Sequence, residues 1–151
     1  MKTYHGVDRR FDFKIKTDKL VFLSDYAHHP KEIYQSAKSI RELYESRKIT
    51  AIFQPHLYTR TRDFYKDFAD ALSQLDEVIL CDIYPAREQP IPGVTSQLIY
   101  DNLKPGVEKS MIHKEEVLDL VKNRDFDVLV VLGAGDLDLY VPQITKILES
   151  K

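Results

Sequence analysis

The residues in this 151-residue chain with the most chemical potential lie in two short stretches, "SDYAHHPKEI" (24 to 33) and "QPHLYTRTRD" (54 to 63). The first sets an acid, a tyrosine and two adjacent histidines ahead of a proline. The second places His56 four residues before Arg60, with Arg62 and Asp63 following. Adjacent histidines serve metal binding, acid/base chemistry or recognition of an anion, and each use makes its own demand on the rest of the chain. Metal binding fits worst, because neighbouring side chains diverge and no His-x-x-x-His or cysteine pair completes a compact site. Hydrolase chemistry lacks a G-x-S-x-G elbow. Anion recognition has a physical motive. Arg60 and Arg62 fall at the start of an expected helix, where the positive end of the dipole disfavours each cation by roughly 0.3 to 1 kcal/mol, offset in part by Asp63. An anion held by the free backbone N–H groups and a guanidinium would compensate. The competing reading turns both arginines outward into water, as most charged side chains are. His56 beside them favours the ligand. Of His28 and His29, one is expected to cap the helix starting near Pro30, which leaves the other as a polar or cationic ligand contact.

These groups need a scaffold, and the sequence describes one. Runs of β-forming residues, "LVFLSD" (20 to 25), "ITAIFQ" (49 to 54), "EVILCDIY" (77 to 84) and "DVLVVLG" (127 to 133), alternate with segments of helical period. Continuous Val/Ile/Leu runs mark parallel strands buried on both faces. Ile33, Ala37, Ile40 and Tyr44 predict one helix, with Pro30 in its first turn. Phe64, Phe68, Leu72 and Leu75 predict another, with Thr59 or Thr61 as N-cap. Shorter helices are expected over about 96–102, 114–123 and 141–149, with a weak strand at "VEKSMI". The opening run "RRFDFKI" is expected to form a hairpin with 20 to 25. The sum is an α/β fold: a doubly wound, mostly parallel, Rossmann-like sheet of about six strands with flanking helices and one antiparallel strand, forming one domain over 1–151. In such sheets ligands bind beyond the carboxyl ends of the strands, where "SDYAHHP", "QPHLYTRTRD", "YPAREQPIPG" and "GAGDLD" all fall.

Composition narrows the function. Hydrophobic residues make up 43%, charged residues 30%, and the net charge is −2, values of a globular protein with no basic face for nucleic acid. No apolar run approaches the ~20 residues of a membrane span, so a cytoplasmic protein is expected. The single cysteine, Cys81, lies in "VILCDIY", where an inert buried thiol is expected. None of the five glycines begins a G-x-x-x-x-G-K-[ST] loop or a G-x-G-x-x-G fingerprint. Any nucleotide chemistry would therefore need a phosphate cradle from another domain.

Five stretches in register, "GVDRRF" (6 to 11), "DYAHHPKEI" (25 to 33), "FQPHLYTRTRDF" (53 to 64), "DIYPAREQPIPGVTS" (82 to 96) and "VLGAGD" (131 to 136), resemble the C-terminal domain of the Mur ligases, in the branch that joins L-alanine to UDP-N-acetylmuramate during bacterial peptidoglycan synthesis. The resemblance spans nearly the whole chain. It implies an ATP-dependent ligase acting through an acyl phosphate, with an N-terminal UDP-sugar domain and a central ATPase domain absent here. ATP and Mg2+ would be held mainly by that central domain, and the fragment alone would be inactive, with no catalytic or metal-binding residue of its own. By position, the resemblance places Asp25, Arg10 and Tyr26 near the nucleotide and His28, His56 and Arg60 around the amino acid, with Arg60 on its carboxylate. Partners would be L-alanine, ATP, UDP-N-acetylmuramate and the missing domains, without nucleic acid or membrane. Ser24, Leu57 and Arg87 depart from the residues common at these positions. The alternatives are a stand-alone α/β module binding a small anion or nucleotide, and the C-terminal domain of a related peptide-recycling muramate ligase.

Overall fold

The computed structural model describes residues 12–133 and 136–151. In chain order the elements are β1 (Asp12–Lys16), β2 (Val21–Asp25), α1 (Pro30–Leu43), β3 (Ile49–Phe53), α2 (Tyr58–Leu72), β4 (Glu77–Leu80), α3 (Gln97–Asn102), β5 (Glu108–Met111), a 3-10 turn (Lys114–Glu116), α4 (Val117–Asn123), β6 (Val128–Leu132), a second 3-10 turn (Asp136–Tyr140) and α5 (Val141–Glu149). The six strands form one sheet in the order β1-β2-β6-β3-β4-β5. Only β1 runs antiparallel, paired with β2 through a register shift between Phe13 and Ile15. The expected doubly wound, mostly parallel sheet is what forms.

Alternation along the central strands divides two cores. Leu23, Ala51, Phe53, Val130 and Leu132 face α1, α2 and α3 through Ile33, Ile40, Phe68, Leu72 and Ile99. Phe22, Ile52, Ile79, Leu129 and Val131 face α4 and α5 through Val117, Val121, Ile144 and Leu148. Each such side chain, withdrawn from water, contributes roughly 1.5 to 3 kcal/mol before entropy is counted. Because both faces are covered, β2, β3, β4 and β6 are buried at every position.

The topology sets where a ligand can sit. The chain passes from β2 to β3 on one face and returns through α4 on the other to insert β6 between them. Helices following β2 and β3 thus cover one face and the helix following β6 covers the other, which opens a crevice at their carboxyl ends. Gly133 closes the floor of that crevice. Its N–H donates to Asp25 O at 3.2 Å, its φ is +127°, and a Cβ there would lie 2.8 Å from Gln54 O. No side chain fits.

Four local expectations need correction. The N-cap of α2 is Leu57, not Thr59 or Thr61, which lie inside the helix. Phe64, expected on the core face, is 42% exposed and sits at a non-helical φ/ψ that kinks α2. Leu75 lies past the end of α2 yet is buried. The run 77–84 pairs as a strand only to Leu80, and Tyr84 rejoins the sheet as an isolated bridge to His56.

Candidate functional site

The loop after β2 is shaped by its own polar groups. Asp25, at the end of β2, is buried, and its Oδ1 accepts the Ala27 N–H at 2.9 Å, which turns the chain out of the sheet. Tyr26 then points outward, 56% exposed. His29 occupies the N-cap of α1 in an extended conformation, with Pro30 at the first helical position. The Glu32 carboxylate reaches back to accept the His28 and His29 N–H groups, each at 3.2 Å. These bonds, together with the histidines' charges, hold Glu32 below the usual carboxylate range against the opposing effect of its burial, which is the largest single influence. His28 is thereby fixed just before the helix, and its Nδ1 lies 3.2 Å from Tyr26 O. A carbonyl oxygen only accepts, so Nδ1 carries the proton and Nε2 of a neutral His28 is an acceptor.

The loop after β3 is held by the loop after β4. Leu57 N–H donates to Tyr84 O and Tyr84 N–H donates to Pro55 O, both at 2.8 Å. Leu57 adopts φ +75° at this junction, in a region that non-glycine residues rarely enter. The Tyr84 ring stacks on His56 at 5.5 Å and 16°. Arg60 Nη1 donates to His56 Nδ1 at 3.1 Å, in an i, i+4 pair across the first turn of α2. A guanidinium only donates, so His56 Nδ1 must be bare and Nε2 must carry the proton. Burial first, then the charges of Arg60 and His28, hold the His56 pKa below its ordinary value. The neutral tautomer required by Arg60 is the one the surroundings favour.

The two loops meet. His28 and His56 pack edge-on at 5.8 Å, His29 lies 4.9 Å from His28, and Tyr26 flanks His28 at 6.2 Å. His28, His56 and Arg60, expected around one ligand, therefore form one continuous rim, with Tyr26 beside it and Asp25 beneath. Arg10 lies outside the described residues. Arg62 has turned outward and pairs with its neighbour Asp63 at 2.9 Å. Arg60 has no carboxylate partner among the described residues, and its bond is to the neutral His56.

Two residues that sequence reasoning passed over complete the rim. Tyr84 orients His56 as described. Glu88, on the same loop, accepts the Thr59 N–H at 3.1 Å and the Thr59 hydroxyl at 2.5 Å, with a further bond from the Tyr58 backbone. Where sequence reasoning expected a bound anion at the start of α2, the protein's own Glu88 carboxylate, 29 residues away, accepts the Thr59 N–H. The first turn of α2 carries no acidic side chain of its own, which left its N–H groups to an acceptor from another segment, to water or to a ligand. Cys81, as expected, is buried beneath this loop, and burial pushes its thiol up to about 12, which keeps it inert. Among the described residues no group of three or more His, Cys, Asp or Glu side chains is placed to hold a metal ion. No helix there is long and apolar enough to cross a membrane.

With this geometry in view, likeness to known proteins becomes informative. Residues 9–135 match the family described as "Mur ligase, glutamate ligase domain". The chain is 72% identical over 151 residues to a UDP-N-acetylmuramate–L-alanine ligase of Phocaeicola vulgatus, covering 100% of this chain and 33% of that protein. A protein of the same name from Parabacteroides distasonis is 55% identical over 148 residues, covering 98% and 32%. The chain thus spans about a third of the length of these curated relatives. The solved structure of the UDP-N-acetylmuramate-alanine ligase MurC from Thermotoga maritima superposes with a TM-score of 0.73 at 27% identity, covering 94% of this chain and 30% of that one.

Proposed function

The chain belongs to the Mur ligase family, as its glutamate ligase domain, and on that premise we propose that it is the C-terminal, amino-acid-binding and ATP-closing domain of a bacterial cytoplasmic UDP-N-acetylmuramate–L-alanine ligase. The longer enzyme would add the UDP-sugar domain and the central ATPase domain. The family description names glutamate, whereas the curated relatives at 72% and 55% identity are named for L-alanine. Their high identity supports L-alanine here and favours this branch over a peptide-recycling ligase.

The observation that carries the reading is Arg60. A partly buried guanidinium, bonded to a neutral histidine and to no carboxylate among the described residues, is a cation set for an anion that the protein does not contain. The carboxylate of the incoming amino acid would be that anion. His56 Nε2–H adds a second donor beside Arg60. His28, presenting Nε2 as an acceptor, suits the amine of the same molecule, which must lose a proton before it attacks the acyl phosphate. Tyr26 and Asp25 would lie toward the nucleotide. Asp25 would act there as the shaper of the loop that carries Tyr26 and His28, since its Oδ1 already accepts the Ala27 N–H. ATP supplies the phosphoryl group that activates the muramoyl carboxylate. The domain has no phosphate loop and, among the described residues, no metal-binding cluster, so the proposal routes neither the γ-phosphate nor Mg2+ through it.

The test is to express the chain together with the coding sequence continuous with it upstream. Phosphate release and amide formation are then followed with ATP, UDP-N-acetylmuramate and L-alanine. The expected product is UDP-N-acetylmuramoyl-L-alanine, formed only when all three are present and not by residues 1–151 alone. An upstream frame without a G-x-x-G-K-[ST] loop, or a full-length protein that forms no amide with L-alanine, would overturn the reading.

A further inference from the structure

The start of α2 offers two features that recognise carboxylates: the Arg60 guanidinium and the free backbone N–H groups of a 15-residue helix. A substrate with one carboxylate needs only one of them. A substrate with two, such as aspartate or glutamate, could use both at once, and the gain would favour the wrong amino acid. In this domain the second is taken. Glu88 Oε1 accepts the Thr59 N–H and Oε2 accepts the Thr59 hydroxyl, at 3.1 and 2.5 Å. The Tyr58 backbone contributes a further bond. Among the first N–H groups of the helix, Thr61 N–H is satisfied by Leu57 O.

The placement of Glu88 is built, not incidental. Its loop is tied to the β3 loop on both sides of Tyr84. It then turns at Ala86, where φ is +53°, and closes with Glu88 N–H on Pro85 O at 2.9 Å. The side chain is therefore delivered to α2 by backbone hydrogen bonds rather than by chance contact. Its charge reaches the ligand rim, since His56 responds to Glu88 as well as to Arg60.

Resting on the reading of this domain as an amino-acid-binding one, we propose that Glu88 is a specificity-determining residue. It fills the anion seat at the start of α2 and charges it negatively, so that the rim accepts one carboxylate, at Arg60, and rejects amino acids that carry a second. Rejection comes from two sources, the loss of the helix N–H donors and the repulsion between carboxylates. The first survives in Glu88→Gln, whose amide oxygen still occupies the seat. The second does not. Both disappear in Glu88→Ala.

The experiment reads a ratio. In the full-length ligase, kcat/KM for L-glutamate and L-aspartate is divided by kcat/KM for L-alanine, for the parent, Glu88→Gln and Glu88→Ala. The ratio is expected to rise in the order parent, Gln, Ala, by about tenfold or more in the last. A purely structural cap would lower all three activities together and leave the ratio where it was, which would overturn the proposal. So would a rise with a neutral control such as L-serine as large as that with L-glutamate. If Glu88→Ala does not fold, as judged by thermal melting, Glu88→Gln decides alone, and an unmoved ratio in that variant counts against the proposal. Failure of the underlying reading is distinct, because the parent enzyme would then show no L-alanine activity from which to form a ratio.

Discussion

The two ends of the sheet use the same residue types to opposite effect. At the amino ends of the strands the cations are paired within the protein: Arg41 with Asp76 at 2.8 Å, Arg47 with Asp127 at 2.6 Å and Arg124 with Glu77 at 2.8 Å. The same carboxylates also accept backbone N–H groups, Asp76 from Ile49 and Asp127 from Lys48. At the carboxyl ends of β3 and β4 Arg60 rests on a neutral histidine, Leu57 holds a strained φ, and the Glu88 carboxylate faces helix N–H groups, although Lys114 and Asp136 pair beyond β5 and β6. One rim is closed on itself and holds the strands in register. The other leaves Arg60 without a carboxylate partner among the described residues. On the proposed reading, Arg60 differs from Arg41, Arg47 and Arg124 in lacking a carboxylate partner among the described residues.

The sharpest way to break that comparison is to unpair the closed rim. Glu77 is buried, and Arg124 donates to both of its oxygens, at 2.8 and 3.0 Å. Arg124→Ala would strand that carboxylate and should cost roughly 2 to 3 kcal/mol of folding stability, below the value for a fully buried pair because Arg124 keeps contact with water. Urea denaturation measures it. Arg124's hydrogen bonds are the main reason the Glu77 pKa is depressed. A depressed carboxylate contributes stability above its unfolded value, and that contribution is lost as pH falls through the folded one. The parent should thus lose stability on acidification below its ordinary 4.5, and the variant should lose less. A variant as stable as the parent at neutral pH would mean that the closed rim does not hold the sheet together.

The matching change on the open rim should leave folding nearly untouched and damage function instead. Arg60→Ala removes a cation from a helix start, where it is mildly unfavourable. On the proposed reading it also removes one charge-assisted hydrogen bond to the substrate carboxylate, worth roughly 1.5 to 3 kcal/mol. The KM for L-alanine in the full-length ligase should rise about tenfold or more, while the melting temperature of the domain stays within a degree or two of the parent. A fall in stability with an unchanged KM would place Arg60 in the structural class and remove it from the ligand.

Much of this contrast was legible in the sequence, though unevenly. The strands were legible because parallel strands buried on both faces must be apolar throughout, and Phe22, Ile52 and Val130 announce themselves whatever their partners. Pro30 and His29 marked the start of α1 for a local steric reason. The pairing of His28, His56 and Arg60 on one rim followed from the rule that ligands sit past the carboxyl ends of strands. What failed was decided by a distant partner or by a local break in the helix. Thr59 looked like a cap because its own side chain can cap, yet it is a donor to Glu88, 29 residues away. Phe64 kept helical spacing in the sequence while the kink in α2 turned it outward.

Strain offers a smaller test of the same contrast. Leu57 at φ +75° occupies a conformation that costs a non-glycine residue on the order of 1 kcal/mol or more. Leu57→Gly should therefore raise stability by about 1 kcal/mol in spite of the added freedom of the unfolded chain, and Leu57→Val should lower it by a similar amount. Paired melts of the two variants would show it. Two variants that both destabilise would locate the value of Leu57 in its packing instead.

The smallest effect concerns Glu88, at the start of α2. The Thr59 hydroxyl is the main cause of the depressed Glu88 pKa, so Glu88 should release α2 only when pH falls below its ordinary 4.5. Above that value the cap is charged; once Glu88 is protonated, the Thr59 amide keeps only a neutral, weaker acceptor. In the 151-residue chain the Thr59 amide signal should titrate with an acidic midpoint under 4.5, and Thr59→Val, which keeps the shape of the side chain but removes the hydroxyl, should move that midpoint upward as reported by the Tyr58 amide. Arg124 does for Glu77 with a guanidinium what Thr59 does for Glu88 with a hydroxyl and a helix end. The neutral donors should therefore prove the weaker restraint, and Glu88 should titrate before Glu77 as the protein is acidified. The reverse order would mean that the start of α2 is as firmly closed as the Glu77–Arg124 pair.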